Sequence, residues 1–273
     1  MSPTPPATTP AIESSAGPTT RPRVLFVYGA GHCGSTLLSM LLNAHSGMLG
    51  LSELSKFAGA MREGADVFAH PWWQATFAQL PGGRAGLAEV DFAHPSWRTF
   101  ARWSEADAAR WAQPRAQVLS ALLSASGRQI AVDASKAWQQ AYLLERSGLF
   151  DLRVLHLVRD GRGVVHSYDR KYHDFSIGLG RWMKPSMMAI PLRQWFADRW
   201  LEVHYERLAE NPATVLADIC AFAGLTYEPA MLEFRAAPWV GIGGNRMRAG
   251  ADTRIRLDEK WRRDMPTAQR RWF

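Results

Sequence analysis

Three groups of residues in this sequence have the types and spacing for chemistry on an anion. The first is the run Gly29-Ala30-Gly31-His32-Cys33-Gly34-Ser35-Thr36. Gly29 and Gly34 stand at Walker-type spacing, with Thr36 in the Ser/Thr place. Glycines let the backbone turn tightly, so the N–H groups from Gly31 to Thr36 point at one centre. A helix N-terminus behind them adds positive potential. The Ser35 and Thr36 hydroxyls add donors. The Walker lysine is absent, and Ser35 occupies its place. Such a loop suits a phosphate and is poorly equipped for a triphosphate.

The second group is Arg159, at the end of the apolar run Arg153–Val158 and ahead of a turn with two glycines. Open α/β sheets bind ligands at the C-terminal ends of their strands. Arginine there offers a phosphate two parallel hydrogen bonds. The third group is Glu53 and Lys136, each placed where a predicted strand ends. A carboxylate in a partly dry pocket is a workable general base. A lysine ammonium is a compact charge for a leaving oxygen.

With these residues in view, the chain resembles the sulfotransferases that use 3′-phosphoadenosine-5′-phosphosulfate (PAPS), in particular their bacterial and tyrosylprotein branches. The family's phosphosulfate loop follows the first strand, as His32-Cys33-Gly34-Ser35-Thr36-Leu37-Leu38 does here. Its later signature, a strand ending in Val-Arg-Asp with a serine eight residues after the arginine, is matched by Val158-Arg159-Asp160 and Ser167. Tyr205-Glu206-Arg207-Leu208 is similar to a further family segment. Gly243–Arg248 with Asp258–Trp261 is similar to the family's C-terminal nucleotide-closing loop. The resemblance runs from about Arg23 to Arg263.

It implies PAPS as donor, 3′,5′-adenosine bisphosphate (PAP) as product, and no metal. The donor site would comprise Gly31, His32, Cys33, Gly34, Ser35 and Thr36, with Arg159 and Ser167 on the 3′-phosphate and Tyr205, Asn245, Arg246 and Arg248 completing it. Glu53 matches, by spacing from His32, the base of the tyrosylprotein branch. Lys136 matches a lysine that approaches the bridging oxygen. His32 stands where the family usually has Arg or Lys. It either replaces that cation or is itself the base, with Glu53 orienting it.

These residues need a particular scaffold. Val24–Tyr28 is uncharged and predicts a buried parallel strand. Ser35–Ala44 is apolar almost all round and predicts a deeply packed helix. Met48–Glu53, Gln129–Asp133, Arg153–Val158 and Leu201–Tyr205 predict further strands. Gln117–Ala125, Gly163–Tyr172 and Pro212–Ala223 predict helices, the last with Asn211 as N-cap and Gly224 as stop. The stretch 56–115, with Trp72, Trp73, Trp97, Trp103 and Trp111, predicts helices and loops whose tryptophans are mostly core. Two glycines and two prolines make Gly178–Pro191 a predicted loop or lid. Strands alternating with helices predict an α/β protein: a P-loop-type three-layer sandwich with a central parallel sheet flanked by helices.

The 273 residues, 47% hydrophobic and 21% charged, are enough for one domain, read as 23–273 after a disordered tail over 1–22. Cys33 and Cys220 lack the spacing of a disulfide framework or a cysteine zinc site. No run is long enough to span a membrane, and the N-terminus lacks the pattern of a secretory signal, so the expected location is cytoplasmic. The net charge of +7 suits an anionic ligand. Two other readings fit parts of this pattern. One is a P-loop kinase or nucleotide hydrolase with Asp133 on Mg²⁺. The other is a non-catalytic polyanion binder, although no nucleic-acid-binding motif is present. The acceptor is expected to be a small molecule, glycan, lipid or peptide.

Overall fold

The computed structural model describes residues 21–88, 90–250 and 252–273, without the side chains of Ala88, Arg246 and Ala249. Five strands form one parallel sheet in the order β2-β3-β1-β4-β5. They are β1 (Arg23–Gly29), β2 (Met48–Ser52), β3 (Ile130–Lys136), β4 (Asp151–Val158) and β5 (Trp200–His204). Side chains alternate across a strand, so β1 feeds two cores. Val24, Phe26 and Tyr28 enter one, and Leu25 and Val27 the other. This is why the run reads as continuously apolar.

Helix α1 (Ser35–Asn43) lies on the second face with the later α11 (Pro212–Phe222), and is buried along its whole length. The first face is covered by helices between β2 and β3, namely α2 (Phe57–Arg62), α3 (Pro71–Gln79), α4 (Gly83–Ala88) and α6 (Glu105–Ser126), while Phe100 of the short α5 (Trp97–Phe100) joins a small separate cluster with Ala108. The first face also receives α7 (Trp138–Arg146) and, after α8 (Gly161–Tyr172), part of α9 (Phe175–Phe196). Strand β5 leads into α10 (Tyr205–Glu210). Trp73 is fully buried and Trp72 and Trp111 pack against the same core, so the tryptophan-rich stretch serves mainly as core.

Two expectations change. Gly178–Pro191 is helical, inside α9, and not a loop. Asp174 caps that helix by accepting from Ser176 and Ile177 N–H. Gly178 lies so close to α8 that a Cβ would meet Val165 at 3.0 Å, and the Pro185 carbonyl accepts from the Tyr28 hydroxyl at 2.6 Å. Burial of Gly178, Ala189, Leu192 and Phe196 outweighs the roughly 3 kcal/mol that an interior proline costs a helix. Helix α6 likewise starts at Glu105, well before Gln117, and runs through Pro114 behind a Ser104–Asp107 capping box. Asn211 precedes α11 but makes no side-chain capping bond. Pro212 at its first position and Gly224, at φ 71°, after its end set its limits. Of the expected tail, 1–20 lies outside the described residues, and the Pro22 carbonyl accepts from Asp151 N–H.

The connection after β1 runs outward to β2, returns to β3, then crosses to β4 on the other side of β1. The strand order therefore switches at β1, and the crevice beyond its C-terminal end is where this architecture receives a ligand.

Candidate active site

The turn after β1 occupies that crevice. Gly34 sits at φ 99° as the N-cap of α1, with the Tyr205 ring beneath it, so a Cβ would approach Tyr205 Cδ2 at 2.5 Å. Gly31 lies against the Tyr168 hydroxyl, where a Cβ would be 2.0 Å away. His32 holds a left-handed backbone, φ 62°, rare for a residue with a side chain. No side chain caps α1, which leaves the donors of its first turn for a ligand. Cys33 contributes backbone only. Its thiol is fully buried, and burial pushes its pKa up.

Strands β2 and β3 both kink at their ends, with Ser52 at φ 55° and Lys136 at φ 68°. The Glu53 backbone is held by Ile242, whose carbonyl accepts Glu53 N–H at 2.8 Å. These ends bring two expected residues together. Lys136 Nζ donates to Glu53 Oε1 at 2.7 Å and to the Ala134 carbonyl at 2.8 Å. Lys56 pairs with the other carboxylate oxygen. Burial opposes ionisation of Glu53, but the two ammonium groups outweigh it and hold the carboxyl below its usual range.

Arg159, buried at the end of β4, donates to the His32 carbonyl at 2.8 Å and to the Asp258 carbonyl at 2.8 Å. It also lies 3.3 Å from the Asp258 carboxylate and 4.5 Å from the Tyr205 ring centre. One guanidinium thus ties the glycine turn to the C-terminal segment. That segment is fixed again where Asn245 N–H donates to Thr36 Oγ1 at 3.2 Å. The Tyr205 hydroxyl accepts from Asp258 N–H at 3.1 Å. Ser167 lines the cleft, its hydroxyl donating to Gly163 O at 2.8 Å.

Gly31, His32, Gly34, Glu53, Lys136, Arg159, Ser167 and Tyr205 surround one cleft of about 840 Å³. Nine lysines and arginines line it against three carboxylates, so its field favours a multiply charged anion. Arg248 is exposed and does not line it; the Arg246 side chain lies outside the described residues. None of the five tryptophans singled out in the sequence lines it. His32 meets the Tyr168 ring edge-on at 4.6 Å. Burial, then the charges of Lys171, Arg159 and Lys136, hold its imidazole below the usual pKa, with Glu53 opposing.

Sequence reading missed several members of the cleft. Lys56 was findable, three residues past Glu53 on the same turn. Lys171 was findable too, one helical turn past Ser167. Arg181 was hidden in the supposed loop. Arg235, which fixes the C-terminal segment through the carbonyls of Met247, Arg248 and Asp252, has no local signal.

Asp133 does not line the cleft. Its carboxylate accepts from Ser135 N–H at 2.9 Å, from the Ser135 hydroxyl at 2.5 Å and from Gln140 Nε2 at 2.8 Å. Burial raises its pKa to about 6.

The fold and the cleft define a P-loop-type α/β protein with a cationic cleft at its switch point. The chain belongs to the sulfotransferase family, whose model matches residues 22–229. No curated protein sequence matches it. Among solved structures it is similar to the sulfotransferase domain from the Synechococcus PCC 7002 olefin synthase, with TM-score 0.59 and 22% identity over 92% of this chain and 91% of that one. It is also similar to the sulfotransferase domain from the curacin biosynthetic pathway, with TM-score 0.55 and 20% identity over 92% and 95% of the two chains. Both likenesses are of fold. Among the described residues no helix is long and apolar enough to cross a membrane.

Proposed function

We propose that this protein transfers the sulfuryl group of PAPS to a hydroxyl or amine acceptor in the cytoplasm, by in-line transfer with a general base and without a metal. One observation carries the reading: the uncapped start of α1 and the Arg159 guanidinium face the same cationic cleft, with the Glu53–Lys136 pair on its wall. Gly31 and Gly34 let the turn pack directly on Tyr168 and Tyr205, where a Cβ would clash, and its backbone N–H groups suit a phosphosulfate. Ser35 in place of a Walker lysine, and an Asp133 engaged by Ser135 and Gln140, speak against a kinase.

The donor supplies an activated sulfuryl group. The turn and the first-turn N–H groups of α1 hold its phosphosulfate, and Arg159 with Ser167 holds the 3′-phosphate. Lys136 turns from Glu53 toward the bridging oxygen as the bond to sulfur breaks, offsetting the charge that develops there. Glu53, relieved of one of its two cations, becomes a stronger base and takes the proton of the acceptor oxygen or nitrogen as the new bond to sulfur forms. His32 donates a hydrogen bond where the family usually carries a permanent cation.

Calorimetry with PAP, with Mg²⁺-ATP and 5′-AMP as competitors, tests this reading. PAP is expected to bind in preference to both. Arg159→Ala and Ser167→Ala are expected to weaken it by roughly 10–100-fold and 3–10-fold, the effect of losing a charge-assisted and an ordinary hydrogen bond. Preference for Mg²⁺-ATP, or no nucleotide binding, overturns it.

A further inference from the structure

The charges of the cleft can be followed one by one. Glu53 pairs with Lys56 and Lys136. Asp252 pairs with Arg254 and Arg256. Asp258 pairs with Arg159 and Lys260. Arg235 directs its donors to backbone carbonyls. Two cations on the cleft wall are left over, Lys171 and Arg181. Among the described residues neither has a carboxylate within ion-pair distance.

Lys171 lies in the last turn of α8, and Arg181 on α9, which packs against α8 at Gly178. Both line the cleft together with His32 and Tyr168. His32 and Tyr168 are themselves in edge-on contact. Tyr168 and Tyr172 stack at 5.9 Å and 22°, and Lys171 Nζ sits 5.1 Å from the Tyr172 ring centre. An ammonium over an aromatic face is held in place. The C-terminal segment, by contrast, fastens to Thr36, Tyr205 and Arg159, at the residues assigned to the donor. The turn, α1 and Arg159 already answer the donor's charge. Lys171 and Arg181 exceed that need, and two like charges on the wall of one cleft without a counter-ion favour a ligand that supplies one.

We propose that Lys171 and Arg181 bind an anionic group of the acceptor, so that the substrate is a hydroxyl or amine compound bearing a carboxylate, sulfate or phosphate. This rests on the sulfotransferase reading above. Both residues are specificity determinants: they hold the acceptor and take no part in bond making.

The test uses the full chain saturated with PAP. Binding is compared for 4-hydroxyphenylacetate against its amide, and for glucuronate against glucose; turnover with PAPS is measured for the same four compounds. At least one acid is expected to bind about tenfold more tightly than its neutral partner, the effect of two exposed ion pairs acting together. Lys171→Ala/Arg181→Ala is expected to abolish that preference, and Lys171→Arg to retain it. PAP affinity in the double variant is expected to stay within about twofold of the parent protein. The preference should shrink at about 0.5 M NaCl.

Equal binding of acid and neutral partner, or no binding of either acid at millimolar concentration, overturns the proposal. So does a loss of PAP affinity in the double variant, which would put both cations on the donor. Failure of the parent protein to bind PAP would instead sink the sulfotransferase reading itself.

Discussion

Lys136 Nζ and Glu53 Oε1 meet at 2.7 Å, although 83 residues separate them in sequence. Parallel pairing of β2 with β3 brings both strand ends to one edge of the cleft. Neither residue is placed by its own surroundings alone: Ser52 and Lys136 take left-handed backbone conformations to make the contact.

This pair sets a pH dependence. Lys136 and Lys56 hold the Glu53 carboxyl below its ordinary pKa against the opposing effect of burial. The carboxylate therefore survives to lower pH than a free glutamate. If Glu53 is the base, the acid limb of kcat/KM lies below the usual glutamate range. Lys136→Met removes one of the two cations and moves that limb upward, while Glu53→Gln lowers kcat by about 10²–10⁴-fold. pH–rate profiles of the three proteins check this. An unmoved limb in Lys136→Met would detach Glu53 from the role of base.

His32 titrates below its usual value because it is buried and beside Lys171, Arg159 and Lys136. A bound phosphate would answer the charge of Arg159 and favour the imidazolium. The complex then holds more protons than the free protein, so PAP affinity rises as pH falls. The His32→Asn variant lacks this contribution. Calorimetry between pH 5.5 and 8 is expected to show a steeper rise toward acid in the parent protein than in the variant, with NMR following the imidazole directly.

Gly34 combines φ 99° with a ring where its Cβ would be. Gly34→Ala is expected to destabilise the fold by about 2–4 kcal/mol, from backbone strain and overpacking together. PAP binding should be lost as the turn shifts away from Tyr205. Chemical denaturation and calorimetry separate the two effects. An alanine tolerated within about 0.5 kcal/mol would show the turn to be softer than its contacts require.

Asp133 is a structural acid by its contacts. Its folded pKa, about 6, stands above the ordinary 3.8 because of burial. The folded state thus holds a proton that the unfolded state has already lost, and this group's contribution to stability falls as pH rises from about 4 to 6. Asp133→Asn has no such proton. Its side-chain amide can donate to Gln140 Oε1, a buried acceptor that has no partner now. Stability of the variant relative to the parent should therefore improve across that window, with PAP binding unchanged. Urea unfolding at pH 4, 5, 6 and 7 checks it, and a parallel pair of curves would refute the raised pKa.

The sequence by itself determined the parallel sheet and the glycine turn. Each is a local matter. An uncharged run such as Val24–Tyr28 has no stable place except inside, and a turn such as Gly29–Gly34 follows from the backbone freedom of its glycines. Strand ends at Glu53, Lys136 and Arg159 were legible for the same reason, and the resemblance carried in those motifs agreed with the family match over residues 22–229. Tertiary structure alone decided the rest. Prolines at 185 and 191 argue locally for a loop, yet packing of α9 against α8 and β1 outweighs them. That helix is what brings Arg181 to the cleft. The pairing of Glu53 with Lys136, the clasp of Arg159 on Asp258, and the two cleft cations without an ion-pair partner among the described residues all depend on distant parts of the chain. Such long-range geometry is fixed by which surfaces bury together, and no local propensity records it.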